Sequence, residues 1–250
     1  MLFSRVLAFK IRLLLRLRYK ISIHGADILQ SQSPTLFLPN HQALIDPFIL
    51  LSYIFKSSSA TPVISAKYYN IPVAHLYFKQ MGAVSVSDLD TGSRDTQVLK
   101  TITRSVYKAL YRGSNILIYP SGQLANQGFE KIFNKKSAYH IVANIPDNVV
   151  VVGVRIKGLW GSNFSKARTG KSPNIFAQLA KGMFYVIANL IFLVPKRELE
   201  IEFVDITALA KETALLGQKP FNTFLEEFYN QKGTEPTNLL KHYFFLPRKR

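Results

Sequence analysis

In the stretch LPNHQALIDPFILL, residues 38–51, one imidazole and one carboxylate stand five positions apart: His41 and Asp46. An imidazole whose Nδ1–H is held by a carboxylate keeps the Nε2 lone pair for a hydroxyl proton, which is the arrangement of a general base. Five residues of regular helix turn the two side chains about 140° apart, so they can pair only across a turn. Asp46-Pro47 has the form of a helix start, with Asp as N-cap and Pro at the first helical position, leaving Gln42 to Ile45 for that turn. The same residues also fit a plainer arrangement in which Asp46 only caps the helix and His41 is a polar loop residue. The context favours the dyad: His41 follows an apolar run, and open α/β sheets bind ligands at the carboxyl ends of their strands.

Other side chains widen the choice of chemistry. Ser121 in YPSGQ would complete a Ser-His-Asp triad, the constellation of a serine hydrolase, but the Gly-x-Ser-x-Gly elbow that presents such a nucleophile is missing. The five histidines show no His-x-His or His-Glu-x-x-His spacing, and there is no cysteine, so neither a metal nor a disulfide is assigned. Lys67 follows the run TPVIS, where a strand-end lysine is either solvated or faces a ligand. Arg155 alternates with apolar neighbours and therefore needs an anionic partner. Lys131, Lys135 and Lys136 form a cluster that suits phosphates or, more commonly, water.

Positioning these residues requires a sheet. PTLFLPN, TPVISAK, AVSVS, SNILIYP, NVVVVGVRIKG and LEIEFVDI read as strands, separated by helical stretches near residues 47–55, 72–81, 94–111 and 137–145. The unbroken Val run at 149–152 predicts a central strand buried on both faces. The alternation predicts an α/β fold with a mixed, largely parallel central sheet flanked by helices.

Several blocks in order resemble the glycerolipid acyltransferase superfamily, in the branch similar to acyl-ACP–phospholipid O-acyltransferases. NHQALID has its Asn-His-four residues-Asp signature, QMGAVSVSD lies where the second block falls, ILIYPSGQLANQGFEKIFNKKSAYHIV resembles the Pro-Glu-Gly block, and VVVVGVRIKGLWGSNF the following strand. FLVPKRELEIEF and LEEFYN extend the likeness, which covers most of residues 36–229. The resemblance implies acyl transfer from acyl carrier protein or CoA thioester to a lysophospholipid hydroxyl, with no other cofactor. It implies His41 as base, Asp46 as its orienter, Gly122 in a loop that shapes the acceptor site and Lys67 near the acceptor headgroup; Arg94, Ser121, Gln123 and Arg155 are further candidates for substrate binding. Three positions depart from the pattern: Ser87-Asp88 where an acceptor-binding Arg is usual, Ser121 for Glu, and Gly153 for Pro. A variant acceptor follows from these departures, with a non-catalytic lipid-binding protein of the same fold as the alternative.

A net charge of +17, from 32 Lys and Arg against 15 Asp and Glu, predicts an anionic partner. Zinc spacings and aromatic RNA-binding strands are absent, which disfavours nucleic acid. Lys10, Arg12 and Arg16 interrupt any secretion-signal core near the N-terminus. Residues 1–24 instead read as a basic amphipathic helix, with Arg5, Arg12, Arg16 and Lys20 opposite Phe3, Val6, Leu7, Ile11, Leu14 and Leu17, suited to docking on an anionic membrane. The apolar segment 182–194 falls short of the bilayer's thickness and reads as a half-buried helix beside an acyl groove, with core packing, a place in the membrane interface or, extended back to 176, a tilted span as alternatives. The expected organisation is a docking helix (1–24), an acyltransferase domain (25–230) and a basic C-terminal tail (231–250), peripheral or monotopic on the cytoplasmic face of a membrane.

Overall fold

The computed structural model describes residues 2–70, 75, 78–79, 82–86, 96–191 and 193–245. Among them is a seven-stranded sheet in the order β1-β7-β6-β2-β5-β3-β4. Its strands are β1 (Tyr19–His24), β2 (Thr35–Pro39), β3 (Ala60–Ser65), β4 (Val84–Val86), β5 (Asn115–Leu117), β6 (Val150–Lys157) and β7 (Arg197–Asp205). The central pair β2 and β6 is built from TLFLP and VVVGVRIK, nearly continuous apolar runs buried on both faces. The helices are α1 (Leu2–Arg18), α2 (Asp46–Ser57), α3 (Ala66–Tyr69), α4 (Thr96–Tyr111), α5 (Ser137–Val142), α6 (Ile175–Ala188), α7 (Thr207–Leu216) and α8 (Gln218–Asn230).

Two apolar layers sandwich the sheet. Ala8, Leu15, Ile49 and Leu50 of α1 and α2 pack with Phe37 and Val152 on one face. Val106 of α4, Ile141 of α5, Ala210 of α7 and Phe221 of α8 pack with Leu36, Leu38 and Val151 on the other. The long apolar side chains on alternating positions of β2 thus serve both layers, as a strand's two-residue period requires.

Strand direction decides what lies near the carboxyl end of β2. The strands β2, β3, β4, β5 and β6 run parallel to one another, whereas β7 is antiparallel to β6 and β1 is parallel to β7. Because β1 and β7 are reversed, the residues that precede them, the end of α1 and the segment after α6, lie at the end where β2 and β6 finish. The Arg18 guanidinium donates to the Pro195 carbonyl and ties these two approaches together.

The N-terminal helix stops earlier than the sequence predicts. Residues 19–24 alternate inward and outward as β1, with Tyr19 buried, and Lys20 pairs with Glu198 at 3.2 Å instead of extending the helical basic face. YKISIH has a two-residue apolar period, and the parallel partner β7 lies 178 residues ahead in the chain (Lys20 to Glu198), beyond the reach of local pattern. The expected basic side of α1 is also divided: Arg12 turns inward to donate to the Ser52 carbonyl of α2, while Arg5, Lys10 and Arg16 remain exposed. Leu14, on the apolar arc expected to face a membrane, is exposed, and Ala8 and Leu15 make the contact with α2.

Candidate active site

At the end of β2, three consecutive polar side chains have separate tasks. Asn40 continues the β2–β6 pairing with its side chain, donating to the Ile156 carbonyl at 3.0 Å and accepting from the Ile156 N–H at 2.7 Å. Gln42 accepts from the Leu159 N–H at 3.1 Å and donates to Glu235 at 2.6 Å. Between these two anchors His41 turns back to Asp46, its Nδ1 lying 3.1 Å from Asp46 Oδ2. The dyad is therefore formed, across a tight turn closed by the Asp46 N–H on the Ala43 carbonyl at 3.0 Å.

Asp46 does not cap α2 with its side chain, contrary to the sequence expectation. Its Oδ2 points backward and also accepts the N–H groups of Gln42 at 2.7 Å and Ala43 at 3.0 Å, so one oxygen organises the whole turn. The residue is fully buried, and burial pushes its carboxyl above the ordinary range, opposed by the bond to His41 and the two backbone donors. Asp46 Oδ1 is buried without a partner, so a proton placed there would have no acceptor, and three donors converging on Oδ2 describe a carboxylate. A carboxylate only accepts, which assigns the proton to His41 Nδ1 and the lone pair to Nε2.

Two groups that the sequence did not single out complete the surroundings of His41. Tyr119 stacks on the imidazole with ring centres 4.1 Å apart. Glu130, 3% exposed, accepts the His41 backbone N–H at 2.9 Å. Burial raises the Glu130 carboxyl to about 7, opposed by that N–H. Asn230 of α8 fixes the Glu130 backbone from both sides, at 2.8 and 2.9 Å. An acid within an otherwise apolar and basic block was the available clue; its depth was not visible.

The remaining candidates fall into three groups. Ser121 and Gly122 sit in the turn after Tyr119, which closes with the Gly122 N–H on the Tyr119 carbonyl at 3.0 Å. Gly122 holds a φ of 60°, and the buried Ser121 hydroxyl donates to the Gln123 carbonyl at 3.0 Å. The loop reaches the dyad through the Ala125 N–H on the His41 carbonyl at 2.8 Å. Arg155 is engaged elsewhere, in an ion pair with Glu202 at 3.1 Å and over the Phe228 ring at 4.5 Å, which answers its need for an anionic partner. Lys67 lies on α3, just past the carboxyl end of β3 and so at the same end of the sheet, with its side chain outside the described residues. Arg94 and Ser87-Asp88 lie outside them too. Lys131 pairs with Glu226 at 3.6 Å, and Lys136 faces solvent.

Residues 235 and 238, which follow α8, are bound to the backbone around this site. Glu235 receives Gln42 and, at 2.9 Å, the Gly158 N–H, while its own N–H donates to the Gly128 carbonyl at 2.7 Å. A Cβ on Gly128 would come within 2.0 Å of the Glu235 carbonyl oxygen, so only glycine lets the strands of the latch approach. Buried Arg197 adds bonds to the Gly158 and Asn238 carbonyls, both at 2.8 Å. Trp160 is buried beside them, and its carbonyl accepts the Asn238 N–H at 3.3 Å.

The sheet is mixed and largely parallel, with a His-Asp pair at the carboxyl end of its central strand, and comparison with known proteins assigns the chain to a family. The family model described as Acyltransferase matches residues 20–157, and the chain belongs to that family. It is 29% identical over 143 residues to the protein named 1-acyl-sn-glycerol-3-phosphate acyltransferase LPAT1, chloroplastic, of Arabidopsis thaliana, covering 56% of this chain and 36% of the relative. The corresponding BAT2 protein of Brassica napus is 30% identical over 143 residues, with 56% and 38% covered. The chain thus spans little more than a third of the length of these relatives. Its fold is similar to that of the crystallised 1-acyl-sn-glycerophosphate acyltransferase PlsC of Thermotoga maritima, with a TM-score of 0.53 and 17% identity over 86% of this chain and 70% of that one.

Proposed function

We propose that this protein transfers a fatty acyl chain from an acyl thioester, carried by acyl carrier protein or CoA, to the free hydroxyl of a lysophospholipid. The His41–Asp46 pair carries the reading: its Nε2 is unclaimed by Asp46, and 15% of the His41 side chain is open to solvent while Asp46 is fully covered. As the acceptor oxygen bonds to the thioester carbonyl carbon, its proton passes to His41 Nε2, and the Asp46 carboxylate stabilises the resulting imidazolium. Collapse of the tetrahedral adduct breaks the C–S bond, and the imidazolium returns the proton to the departing thiolate. The names of the relatives support a phosphate-bearing acceptor, with Lys67, Arg94 and the 121–123 turn as candidates to hold it. A Ser121 hydrolase finds no support, because that hydroxyl is buried and bonded to the Gln123 carbonyl.

The exposed face of α1, where Arg5, Lys10 and Arg16 stand among Val6, Phe9, Leu13 and Leu14, supports peripheral docking on the cytoplasmic face of an anionic membrane. No helix among the described residues is long and apolar enough to cross one. The test incubates purified protein with acyl carrier protein and CoA thioesters against a panel of lysophospholipids and reads the products by mass spectrometry. Diacyl product that disappears with His41→Ala supports the proposal; equal product from His41→Ala refutes it.

A further inference from the structure

Hydropathy predicts a half-buried helix at 182–194, and α6 has no fully buried residue. Its outward side carries Phe176, Leu179, Met183 and Ile187 at helical spacing, each between 49% and 63% exposed, and Leu190 extends the stripe at 69%. Phe184 and Ile191 widen it, and Phe244 and Phe245 border it, because Asn189 fastens the C-terminal segment to α6 through the His242 carbonyl at 2.9 Å and the Phe244 N–H at 2.8 Å. Leu190 and Ile191 both hold positive φ, 52° and 63°, a conformation that non-glycine residues seldom adopt, Ile least of all. A folded protein exposing so broad an apolar face to water invites association.

Charge identifies the occupant. From residue 148 to 197 the sequence contains no Asp or Glu, and Arg168, Lys171, Lys181 and Lys196 are exposed around the stripe. Apolar residues rimmed by cations fit the anionic headgroups and acyl boundary of a bilayer. The 14 residues of α6 measure about 21 Å, short of the roughly 30 Å hydrocarbon layer, so the helix can lie in the interface but not span it. Position agrees: the reversed β7 places α6 at the same end of the sheet as His41, and Lys166, in the segment leading to α6, bonds Asn126 of the loop that reaches the dyad, at 2.9 Å.

We propose that the outer face of α6, with the 190–191 turn and Phe244 and Phe245, is a bilayer-docking surface that inserts its apolar stripe into an anionic lipid interface, separately from α1. The inference rests on this surface and not on the chemistry proposed above, so it is tested in the full chain carrying His41→Ala, where turnover plays no part. Binding to vesicles of phosphatidylglycerol and phosphatidylcholine is measured by co-sedimentation for that chain and for the same chain with Met183→Glu and Ile187→Glu. Both side chains are more than 60% exposed, so melting temperature is expected to hold while partitioning falls roughly 30-fold or more. A separate Ile187→Trp chain reports depth: its fluorescence should be quenched by lipids brominated near the top of the acyl chains. Unchanged partitioning in the Glu variant, or a bound Ile187→Trp chain that brominated lipid does not quench, overturns the proposal. So does a Glu variant that loses self-association in light scattering, or loses binding to an acidic carrier protein, while partitioning normally.

Discussion

Replacing Asp46 with Asn separates the charge of the dyad from its geometry. All three donors, His41 Nδ1, Gln42 N and Ala43 N, converge on Oδ2, and Oδ1 has no partner. An asparagine that places its oxygen at Oδ2 keeps every one of these bonds and the His41 tautomer, and its amide NH2 takes the unpartnered position. Two effects of different kind are then expected. A buried donor without an acceptor costs about 1–3 kcal/mol of stability, a fall in melting temperature of roughly 2–12 °C for a chain of this size. Chemistry loses the carboxylate opposite the imidazolium, an interaction on the order of 4 kcal/mol at 4 Å and an effective permittivity of about 20. If about half to all of it is realised in the transition state, transfer slows roughly 30- to 10³-fold. The assay is initial rate of thioester-dependent acylation per mole of folded protein, with a melting curve for each variant. Because the charge acts only through the imidazolium, the double variant with His41→Ala should be no slower than His41→Ala alone. Asp46→Asn turning over within threefold of the parent, or rate losses that add in the double variant, would refute the reasoning.

Three further expectations follow from the packing. Glu130 holds its proton up to about 7 in the folded chain and releases it at the ordinary glutamate value when unfolded, so the folded state binds more protons between these values and stability falls as pH rises through them; Glu130→Gln should remove a decline of about 3 kcal/mol, read by urea denaturation at pH 5 and pH 8, and an unchanged difference between the two would exclude it. A Cβ at Gly153 would lie 2.5 Å from the Phe228 ring, so Gly153→Ala should cost about 1–3 kcal/mol in melting experiments, with Phe228→Leu in the same chain restoring part of it. Glu235→Ala should free Gln42 and the Gly158 N–H, costing about 1–3 kcal/mol and speeding amide exchange at residues 158 and 159; exchange identical to the parent would show that the latch does not hold those residues.

The sequence displayed the parts of this molecule that depend on short patterns. Val149 to Val152 announced a doubly buried strand, and Asp46-Pro47 a helix start, because burial and backbone preference act within a few residues. The spacing of His41 and Asp46 permitted a dyad without deciding it; what decides it is the turn drawn by Gln42 N–H and Ala43 N–H onto the same oxygen, a contact that spacing does not encode. Tyr19 to His24 were absorbed into the preceding helix because the strand they pair with comes at the other end of the chain. Glu130 and Glu235 look like ordinary surface acids in FEK and GTEP, and only the fold brings one under His41 and the other under Gln42. The apolar run of α6 leaves core, groove and membrane interface open, because hydropathy measures preference for a nonaqueous place without saying whether that place belongs to the protein.

The Glu235 latch has a consequence for the order in which the chain acquires its parts. Gln42, Gly128 and Gly158 all leave the ribosome before the residue that fastens them. A nascent chain that has emerged through α8 has every strand of the sheet and both members of the dyad, yet the backbone at 128 and 158 still lacks its partner. During synthesis, then, the backbone at 128 and 158 gains this partner only after the core and the dyad turn have emerged, and a chain interrupted after Asn230 would lack that anchor beside its site.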